Sequence, residues 1–437
     1  MKTILLISLS LLCATNIMAQ TEMPDSIKTQ NLNEVVVEGQ LQTVKPAVST
    51  YLPGNNQKKS AQDAIDLLSQ MGIPQIQVNP VSYSVLTLNG QPVSIYIDMQ
   101  PASQEQLEAL RPEDVKKVEY LVYPTDPRYQ HKPYVVNFKL RRYEFGGYSK
   151  LTGRGNIMAG SGSGLAYGKL SYKRMTYDMI VSDKYTDRHN QGTDRTQIFR
   201  FPAADGTMKE VIRENKIGYS RLQQNNLGIS FRAIYGTDKM SISNILSLDA
   251  TNRPRLNSNG TVTFTPKIYQ TSDYISTSSS NVIYPTWTGN FYFDLGRNFQ
   301  LNTVTKLQYQ KTKSKSLYQG AGETAINTNA SDEAAMGQIM LQVNKAINER
   351  NVVDLQGYYI FNNDKVKYSG STISIERFHQ LAYGAMAGYT FQAEKFYGRF
   401  EGGLIGERNE INGMSVSDAV PLFRGCLIMN VNIREPI

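Results

Sequence analysis

The chain has few of the residues that build metal and disulfide sites: two cysteines and three histidines in 437 residues. Cys13 falls in the apolar N-terminal segment, which leaves Cys426 alone and excludes an internal disulfide or a cysteine metal site. His131, His189 and His379 lie far apart, and none has a second histidine at metal-ligand spacing. No Gly-x-Ser-x-Gly motif of a nucleophilic serine occurs. We therefore expect no catalytic residue, no metal and no cofactor.

Long apolar runs and blocks of like charge are also missing. The 46 Lys and Arg against 38 Asp and Glu give a net charge of +8. This charge is spread along the chain, which argues against nucleic-acid binding. After Gln20 no apolar run approaches the ~20 residues of a membrane helix. Aromatic residues make up 10% of the chain, with 27 Tyr and 33 Gly, a composition that argues against disorder and favours β structure.

The first residues form a secretory signal. Lys2 precedes an apolar stretch from Ile4 to Leu12, and Ile17-Met18-Ala19 provides a small-residue cleavage site before Gln20. The apolar stretch is too short to anchor the chain in a bilayer. Leu12 stands where a lipoprotein signal would need a small residue before the cysteine. We predict that residues 1–19 are a signal peptide and that the chain is exported.

From about Gly146 onward, apolar and polar residues alternate with period two, as in strands with two different faces. Many runs reach about 9–12 residues, longer than the ~5–6 of a soluble strand and close to the ~9–11 that cross a bilayer. The clearest runs are Met175–Val181, Leu227–Tyr235, Phe299–Tyr309, Leu381–Phe391 and Phe396–Leu404. On the last run we assign Phe400 to the lipid face and Arg399 to the opposite face. Replacing Arg399 is expected to matter far less than replacing Phe400.

Polar stretches at Tyr185–Thr196 and Gln319–Glu333 alternate with tight turns such as Gly296-Arg297-Asn298. Long loops at one end and short turns at the other are typical of an outer-membrane barrel. The alternative is a secreted β-sandwich, whose inward faces would carry larger aliphatic residues than the Gly, Ala, Ser and Thr found here. Residues 146–437 number 437 − 145 = 292, room for about 14–16 strands at about 20 residues each.

The region ahead of these strands is a small mixed α/β unit of about 100 residues. A helix is predicted at Ser60–Met71, with Ser60 as its N-cap, and a second at Ser103–Leu110. Predicted strands between and after these helices are Ile76–Val78, Ser84–Asn89, Pro92–Ile97, Val115–Tyr123 and Tyr134–Leu140.

Four segments, in order, resemble the plug of TonB-dependent receptors: Leu32–Gly39, Ser60–Leu68, Leu86–Val93 and Leu110–Tyr120. The resemblance implies a mainly β fold, in which a small α/β plug-type domain precedes an antiparallel transmembrane β-barrel that is only partial. It divides the chain into a signal peptide (1–19), an N-terminal segment (20–44), a plug-like domain (45–145) and a barrel region (146–437).

The resemblance also implies a function. The protein would lie in the cell outer membrane, in contact with its lipids and the barrel-assembly machinery, as a receptor for active uptake of a small-molecule, glycan or peptide cargo. Leu32, Glu34, Val35, Val36 and Val37 would bind the periplasmic domain of TonB. An extended β-branched segment can add to the sheet edge of such a partner. Alternatively, Val35–Val37 is simply the first strand of the plug.

Two features depart from the family pattern. Where the plug usually has a glycine-rich turn, this chain reads Tyr129 to Phe138. The barrel region is also short. A barrel of about 14 strands leaves a lumen with a radius of about 9 Å, too narrow for a plug domain with a radius of about 17 Å. We expect a truncated receptor. The alternative functions are a passive or structural outer-membrane barrel without energy-coupled transport and, less favoured, a barrel enzyme.

Two further motifs imitate active sites. Gly160–Gly164 followed by Gly168-Lys169 suggests a phosphate loop, but the spacing is one residue short and Leu170 replaces Ser or Thr. We interpret it as a turn entering a strand. Asp187, Arg188, His189 and Asp194 could form a catalytic cluster at a barrel rim, but a solvated loop is the favoured interpretation.

Overall fold

The computed structural model describes residues 42–44, 48–130, 132–156, 158, 160–190, 192–202, 207–267, 270–320, 324–348, 350–393 and 396–429. The predicted signal peptide and Leu32–Val37, the segment predicted to bind TonB, lie outside these ranges. The described chain forms an N-terminal domain up to Leu140 and a large antiparallel sheet from Phe145 onward. No helix in the described ranges is long and apolar enough to cross a membrane.

Within the described residues, the N-terminal domain contains three α-helices and eight strands. The helices are α1 Asn55–Ser60, α2 Ala64–Met71 and α3 Gln104–Ala109. The strands are β1 Gln42–Val44, β2 Val48–Tyr51, β3 Ile76–Asn79, β4 Ser84–Thr87, β5 Ser94–Ile97, β6 Gln100–Pro101, β7 Val115–Val122 and β8 Tyr134–Leu140. Six of them form one sheet in the order β1-β2-β7-β8-β5-β6, in which β5 and β8 run parallel, and β3 pairs with β4 separately.

Helix α2 begins four residues later than the sequence predicted. The Asp63 carboxylate caps it by accepting hydrogen bonds from the backbone N–H groups of Ile65 and Asp66, both at 2.9 Å. Ser60 instead ends α1, and extended backbone at Ala61 separates the two helices. The prediction was wrong because Asp63, not Ser60, satisfies the free N–H groups. The second predicted helix is confirmed as α3, capped by Ser103 and Gln106 in a capping box.

The domain has an apolar core of its own. Ile65, Leu67 and Leu68 of α2 are fully buried, as are Val136 and Phe138 of the central strand β8. They pack in one cluster with residues of β3, β4, β5 and β7. Burial of each large aliphatic side chain stabilises the fold by about 1.5–3 kcal/mol.

The large sheet contains thirteen strands, mostly joined by hairpins. They are β9 Phe145–Asn156, β10 Ser161–Tyr172, β11 Met175–His189, β12 Arg195–Pro202, β13 Met208–Gly236, β14 Met240–Thr265, β15 Ser272–Gly296, β16 Phe299–Gly320, β17 Ile326–Ala346, β18 Asn351–Gly370, β19 Ser374–Gln392, β20 Phe396–Ile411 and β21 Met414–Met429. Each pairs with its sequence neighbour, except that β13 joins β11 directly and β12 pairs only with β13. Within the described residues, β9 and β21 are the two edges.

The strands are longer and fewer than predicted. They reach 29 residues in β13, and the thirteen of this sheet fall below the expected 14–16. The predicted loops at Tyr185–Thr196 and Gln319–Glu333 are largely strand, because β11 continues to His189 and β17 begins at Ile326. Polar Ser, Thr, Asn and Lys side chains still permit ladder pairing, so the hairpins continue past their apolar part. The tight turn at Gly296-Arg297-Asn298 is confirmed, with positive φ at all three residues.

The two faces of this sheet differ in polarity. Apolar side chains are exposed and polar side chains are buried, the reverse of the pattern in a soluble protein. Large apolar side chains are exposed on the outer face, for example Leu307 at 51%, Phe400 at 54% and Leu404 at 66%. The inner face buries polar ones, such as Asn344 at 3% and Asp354 at 1%. A small α/β domain followed by long antiparallel strands confirms the predicted fold class.

Candidate functional site

The N-terminal domain contacts the inner face of the large sheet through the loop between β7 and β8, residues 123–130, here called the docking loop. Asn344 of β17 donates from Nδ2 to the carbonyl of Thr125 at 2.7 Å, and Asn302 of β16 donates to the carbonyl of Pro127 at 3.2 Å. Both asparagines are buried. Because the two asparagines bind main-chain carbonyls, they hold the backbone of the docking loop rather than its side chains.

A cation at the centre of the docking loop strengthens this contact. Arg128 donates from Nε to Asp126 Oδ1 at 2.9 Å, and its guanidinium lies 4.0 Å from the ring centroid of Tyr292 on β15. Burial acts to lower the pKa of Arg128, but the Asp126 carboxylate outweighs it and the pKa is raised. Arg128 is therefore charged, and a desolvated cation over an aromatic face contributes up to about 2 kcal/mol.

The end of the docking loop is where the sequence lacks the usual glycines. Tyr129 is 3% exposed, and the Tyr96 ring meets it edge-on with centroids 5.1 Å apart. The Tyr96 hydroxyl donates to the Tyr129 carbonyl at 3.2 Å, and burial raises the pKa of Tyr96 to about 12. The Tyr96–Tyr129 pair therefore fixes this segment, which is not a flexible turn. His131, which follows, lies outside the described residues.

A second contact joins α3 to the edge strand β9. Lys150 donates from Nζ to the carbonyls of Glu108 at 2.6 Å and Gln62 at 2.8 Å. The hydroxyl of Thr152 donates to the Glu108 carboxylate at 3.3 Å, and Arg154 pairs with the same carboxylate at 3.3 Å. A cation at the last carbonyls of a helix is favourable because these carbonyls carry partial negative charge.

The same strand is linked to the N-cap of α2. Arg154 donates from Nη2 to the Tyr83 hydroxyl at 3.0 Å, and that hydroxyl donates to Asp63 Oδ2 at 2.5 Å. Burial and the neighbouring Asp63 carboxylate raise the pKa of Tyr83 to about 12. Displacement of β9 would therefore disturb the residue that starts α2.

Farther round the interface, the contacts are aromatic and weakly polar. Tyr123 stacks on Tyr397 of β20 with centroids 4.7 Å apart, and Gln100 donates to the Ser241 hydroxyl at 3.5 Å. Together with the docking loop and β9, they make an interface of hydrogen bonds, rings and charges. Polar interfaces of this kind resemble those between domains that move.

Buried ion pairs lie on the inner face of the sheet. Arg399 of β20 contacts Asp354 at 2.8 Å, Thr390 at 2.9 Å and Glu401 at 3.0 Å. Nearer the other edge of the sheet, Arg232 of β13 pairs with Asp178 of β11. Asp178 also accepts a hydrogen bond from the Tyr167 hydroxyl at 2.8 Å. The sequence placed Arg399 on the correct face, but without a view of other strands it could not identify Asp354, 45 residues earlier, as its partner.

The sequence-predicted site residues have separate outcomes. Leu32, Glu34, Val35, Val36 and Val37 lie outside the described residues, so their role stays a prediction. The glycine-rich motif is confirmed as a turn: Gly160 has φ +57° and β10 follows at once.

The sequence favoured a solvated loop over a catalytic cluster at Asp187, Arg188, His189 and Asp194. The first three instead lie in β11, and structural contacts hold Asp187 and Asp194. Arg221 pairs with Asp187 at 2.7 Å. The backbone N–H of Ile217 donates to Asp194 at 2.9 Å. In the described part of the chain, no three His, Cys, Asp or Glu side chains are arranged to hold a metal ion.

Comparison with known proteins gives only distant structural matches. No protein-family model matches the sequence, and no curated protein matches it. Among solved structures, the ferric yersiniabactin uptake receptor of Yersinia pestis is 11% identical, with a TM-score of 0.34, over 87% of this chain and 79% of that one. The siderophore receptor PiuA of Acinetobacter baumannii is 10% identical, with a TM-score of 0.32, over 87% and 72%. The ferric citrate transporter FecA is 9% identical, with a TM-score of 0.30, over 87% and 74%. Overlap at this level identifies neither cargo nor partner for this chain.

Proposed function

We propose that this protein is an outer-membrane receptor, similar to TonB-dependent receptors, that takes up a nutrient with energy supplied from the inner membrane. The observation that carries the proposal is an apolar band with aromatic borders on the outer face of the large sheet. A membrane-embedded sheet requires such a band, whereas a soluble sheet would leave it exposed to water.

The band is clearest on β16. Its outward side chains run from Phe299 through Leu301, Thr303, Thr305 and Leu307 to Tyr309, and a lysine follows. Ten residue steps at ~3.4 Å and a tilt of ~40° give a height of about 26 Å, close to the ~25 Å apolar band of outer-membrane barrels.

The neighbouring strands carry the same borders. At the border of the band away from the short turns, Tyr359 and Phe361 of β18 oppose Tyr383 and Leu381 of β19. At the other border, Tyr389 and Phe391 of β19 lie near the turns. Aromatic rings favour the boundary between lipid and water. A secreted sandwich, the alternative considered from the sequence, would have to expose these rings to solvent.

The inner side supports transport over a purely structural role. The N-terminal domain rests there largely on hydrogen bonds, which water can replace if the domain shifts. A small apolar cluster of Ala109 with Leu165 and Ile180 is also buried at this contact. Energy would arrive through Leu32, Glu34 and Val35–Val37, paired as a strand with the periplasmic domain of TonB. Cargo would bind on the side opposite the short turns.

Membrane embedding can be tested with the protein's single tryptophan. Trp287 lies on the outer face of β15 between Leu246 and Leu307. In vesicles whose lipids carry brominated acyl chains, its fluorescence should be strongly quenched relative to ordinary phosphatidylcholine vesicles. Equal fluorescence in both would refute the outer-membrane assignment.

One observation favours the second candidate, a passive or structural barrel. The docking loop is fixed by Arg128 and Tyr129 where family members usually have glycines, and a fixed plug would not need TonB. Binding of the purified periplasmic domain of TonB to the detergent-solubilised protein separates the two functions. Val36→Pro removes a backbone donor and should abolish binding, while Val36→Thr keeps it. No binding by the parent protein, or full binding by the proline variant, would favour the passive barrel.

A further inference from the structure

A cavity of about 460 Å³ lies on the inner face of the large sheet, against β13, β14 and β15. Leu246 and Trp287 face outward, so Asp249 and Tyr284, three residues away on the same strands, face inward. The volume falls within the ~300–1,000 Å³ of small-molecule sites. Polar side chains line the cavity from all three strands: Gln224 of β13, Asp249, Thr251 and Arg253 of β14, and Ser280 and Tyr284 of β15.

Opposite charges stand at the two ends of the cavity. Asp249 and Arg253 lie four residues apart on the same face of β14. At ~3.4 Å per residue, their Cα atoms are about 14 Å apart. Neither side chain forms an ion pair with another described residue. Arg253 Nε is buried without a hydrogen-bond partner in the described part of the chain. A buried donor of this kind costs free energy, so an anionic group bound at this end would be stabilised.

The carboxylate end of the cavity is the one nearer the N-terminal domain. β14 begins at Met240, next to a short turn, so Asp249 lies closer to that turn than Arg253 does. Glu105, in the first turn of α3, is near enough to interact electrostatically with Asp249. Two carboxylates therefore make this end negative, whereas Arg253 makes the outer end positive.

The wall between the two ends offers hydrogen-bond acceptors. The Gln224 side-chain amide and the Thr251 hydroxyl both donate to Asn226 Oδ1, at 2.8 and 3.0 Å. These bonds orient the two side chains and leave the carbonyl oxygen of Gln224 and the hydroxyl oxygen of Thr251 as acceptors. Acceptors placed between two opposite charges suit a ligand that carries N–H groups along its length.

We propose that this cavity binds a short peptide with free termini as the cargo, an inference that deepens the proposed uptake function and rests on it. The terminal ammonium pairs with Asp249 and Glu105, and the terminal carboxylate pairs with Arg253. Backbone N–H groups of the peptide donate to Gln224 and Thr251.

The separation of the two charges sets the length of the peptide. An extended chain spans ~3.4 Å per residue, so a dipeptide measures about 7 Å and a tripeptide about 10 Å. With a charge-assisted hydrogen bond of about 2.8 Å at each end, they need about 13 and 16 Å. These two values bracket the distance of about 14 Å between the Cα atoms of Asp249 and Arg253.

Other classes of cargo match the charges less well. A neutral sugar leaves the Asp249 carboxylate and the Arg253 guanidinium without a charged partner. A purely anionic ligand meets Asp249 and Glu105 with like charge, which is unfavourable. A zwitterion satisfies both ends at once.

The test measures binding of trialanine to the detergent-solubilised full chain by equilibrium dialysis, beside its N-acetylated and C-amidated forms. A hydrogen bond between charged groups contributes roughly 10- to 150-fold to affinity, so blocking either terminus should weaken binding by the parent protein by that factor. Asp249→Asn should weaken binding of trialanine similarly and bind the N-acetylated form no worse than the free one. Arg253→Gln should show the same indifference to C-amidation only.

The matched control is Asp364→Asn. Asp364 lies on β18, on the inner face that it shares with Asp354, and it does not line the cavity. This variant should bind all three peptides like the parent.

Three outcomes would overturn the proposal: no binding of trialanine by the parent, equal affinity for free and blocked peptides, or tighter binding of maltotriose than of trialanine. Variants that weaken all three peptides equally would refute the assignment of the termini. Failure of the proposed function is a separate result, because it shows as unquenched Trp287 fluorescence in brominated vesicles, whether or not peptide binds.

Discussion

An arginine in place of Phe400 tests which face of β20 meets lipid. Phe400 is 54% exposed, and it opposes Tyr389 and Gly425 on the outer face. The outward run on this strand extends from Phe396 to Gly406, so Phe400 lies one residue from its middle. At ~3.4 Å per residue and a tilt of ~40°, that is about 3 Å from the centre of the band.

The magnitude separates the two environments. In water, a substitution at so exposed a position changes the free energy of unfolding by about 0.5 kcal/mol or less. Near the middle of a bilayer, arginine on the lipid face costs about 2–4 kcal/mol. We expect Phe400→Arg to lower the folding equilibrium constant roughly 30- to 1,000-fold in lipid.

The assay is denaturant titration of the protein refolded into phosphatidylcholine vesicles, followed by Trp287 fluorescence. Val416→Arg is the matched control, because Val416 is 74% exposed but lies on the inner face of β21, opposite Asn409. It should be nearly neutral. Equal losses at both positions, or no loss at Phe400, would refute the assignment of the two faces.

Three further predictions follow from the site and the charged pairs. Arg399→Ala should destabilise the protein by about 3–5 kcal/mol in the same titration, since it removes the cation that pairs with the buried Asp354 carboxylate. This prediction replaces the sequence-based expectation of a small effect. A loss of stability below about 1 kcal/mol would contradict the new prediction. Asn344→Ala should cost about 1 kcal/mol and increase protease cleavage at the docking loop, which stays protected if the amide is unimportant. Asp63→Ala should cost about 1 kcal/mol through loss of the α2 N-cap, whereas Ser60→Ala should be nearly neutral.

The sequence alone determined the local features. Alternation with period two fixed which residues share a face, so Phe400 and Arg399 were assigned to opposite sides from neighbouring residues only. The strand Tyr134–Leu140, the helix at Ser103–Leu110 and the turn at Gly296–Asn298 were also predicted from local sequence. Each depends on side-chain and backbone chemistry within a few residues.

The tertiary structure decided what depends on distant parts of the chain. Asp63 displaced Ser60 as a helix cap because it also binds Tyr83, 20 residues later. Asn344 holds the carbonyl of Thr125 across 219 residues, and Asp354 meets Arg399 only through the register of three strands. Lys311, Lys365 and Arg377 likewise become neighbours only when β16 to β19 pair. Strand register brings residues from separate hairpins into one row, and no local pattern encodes which residues will share it.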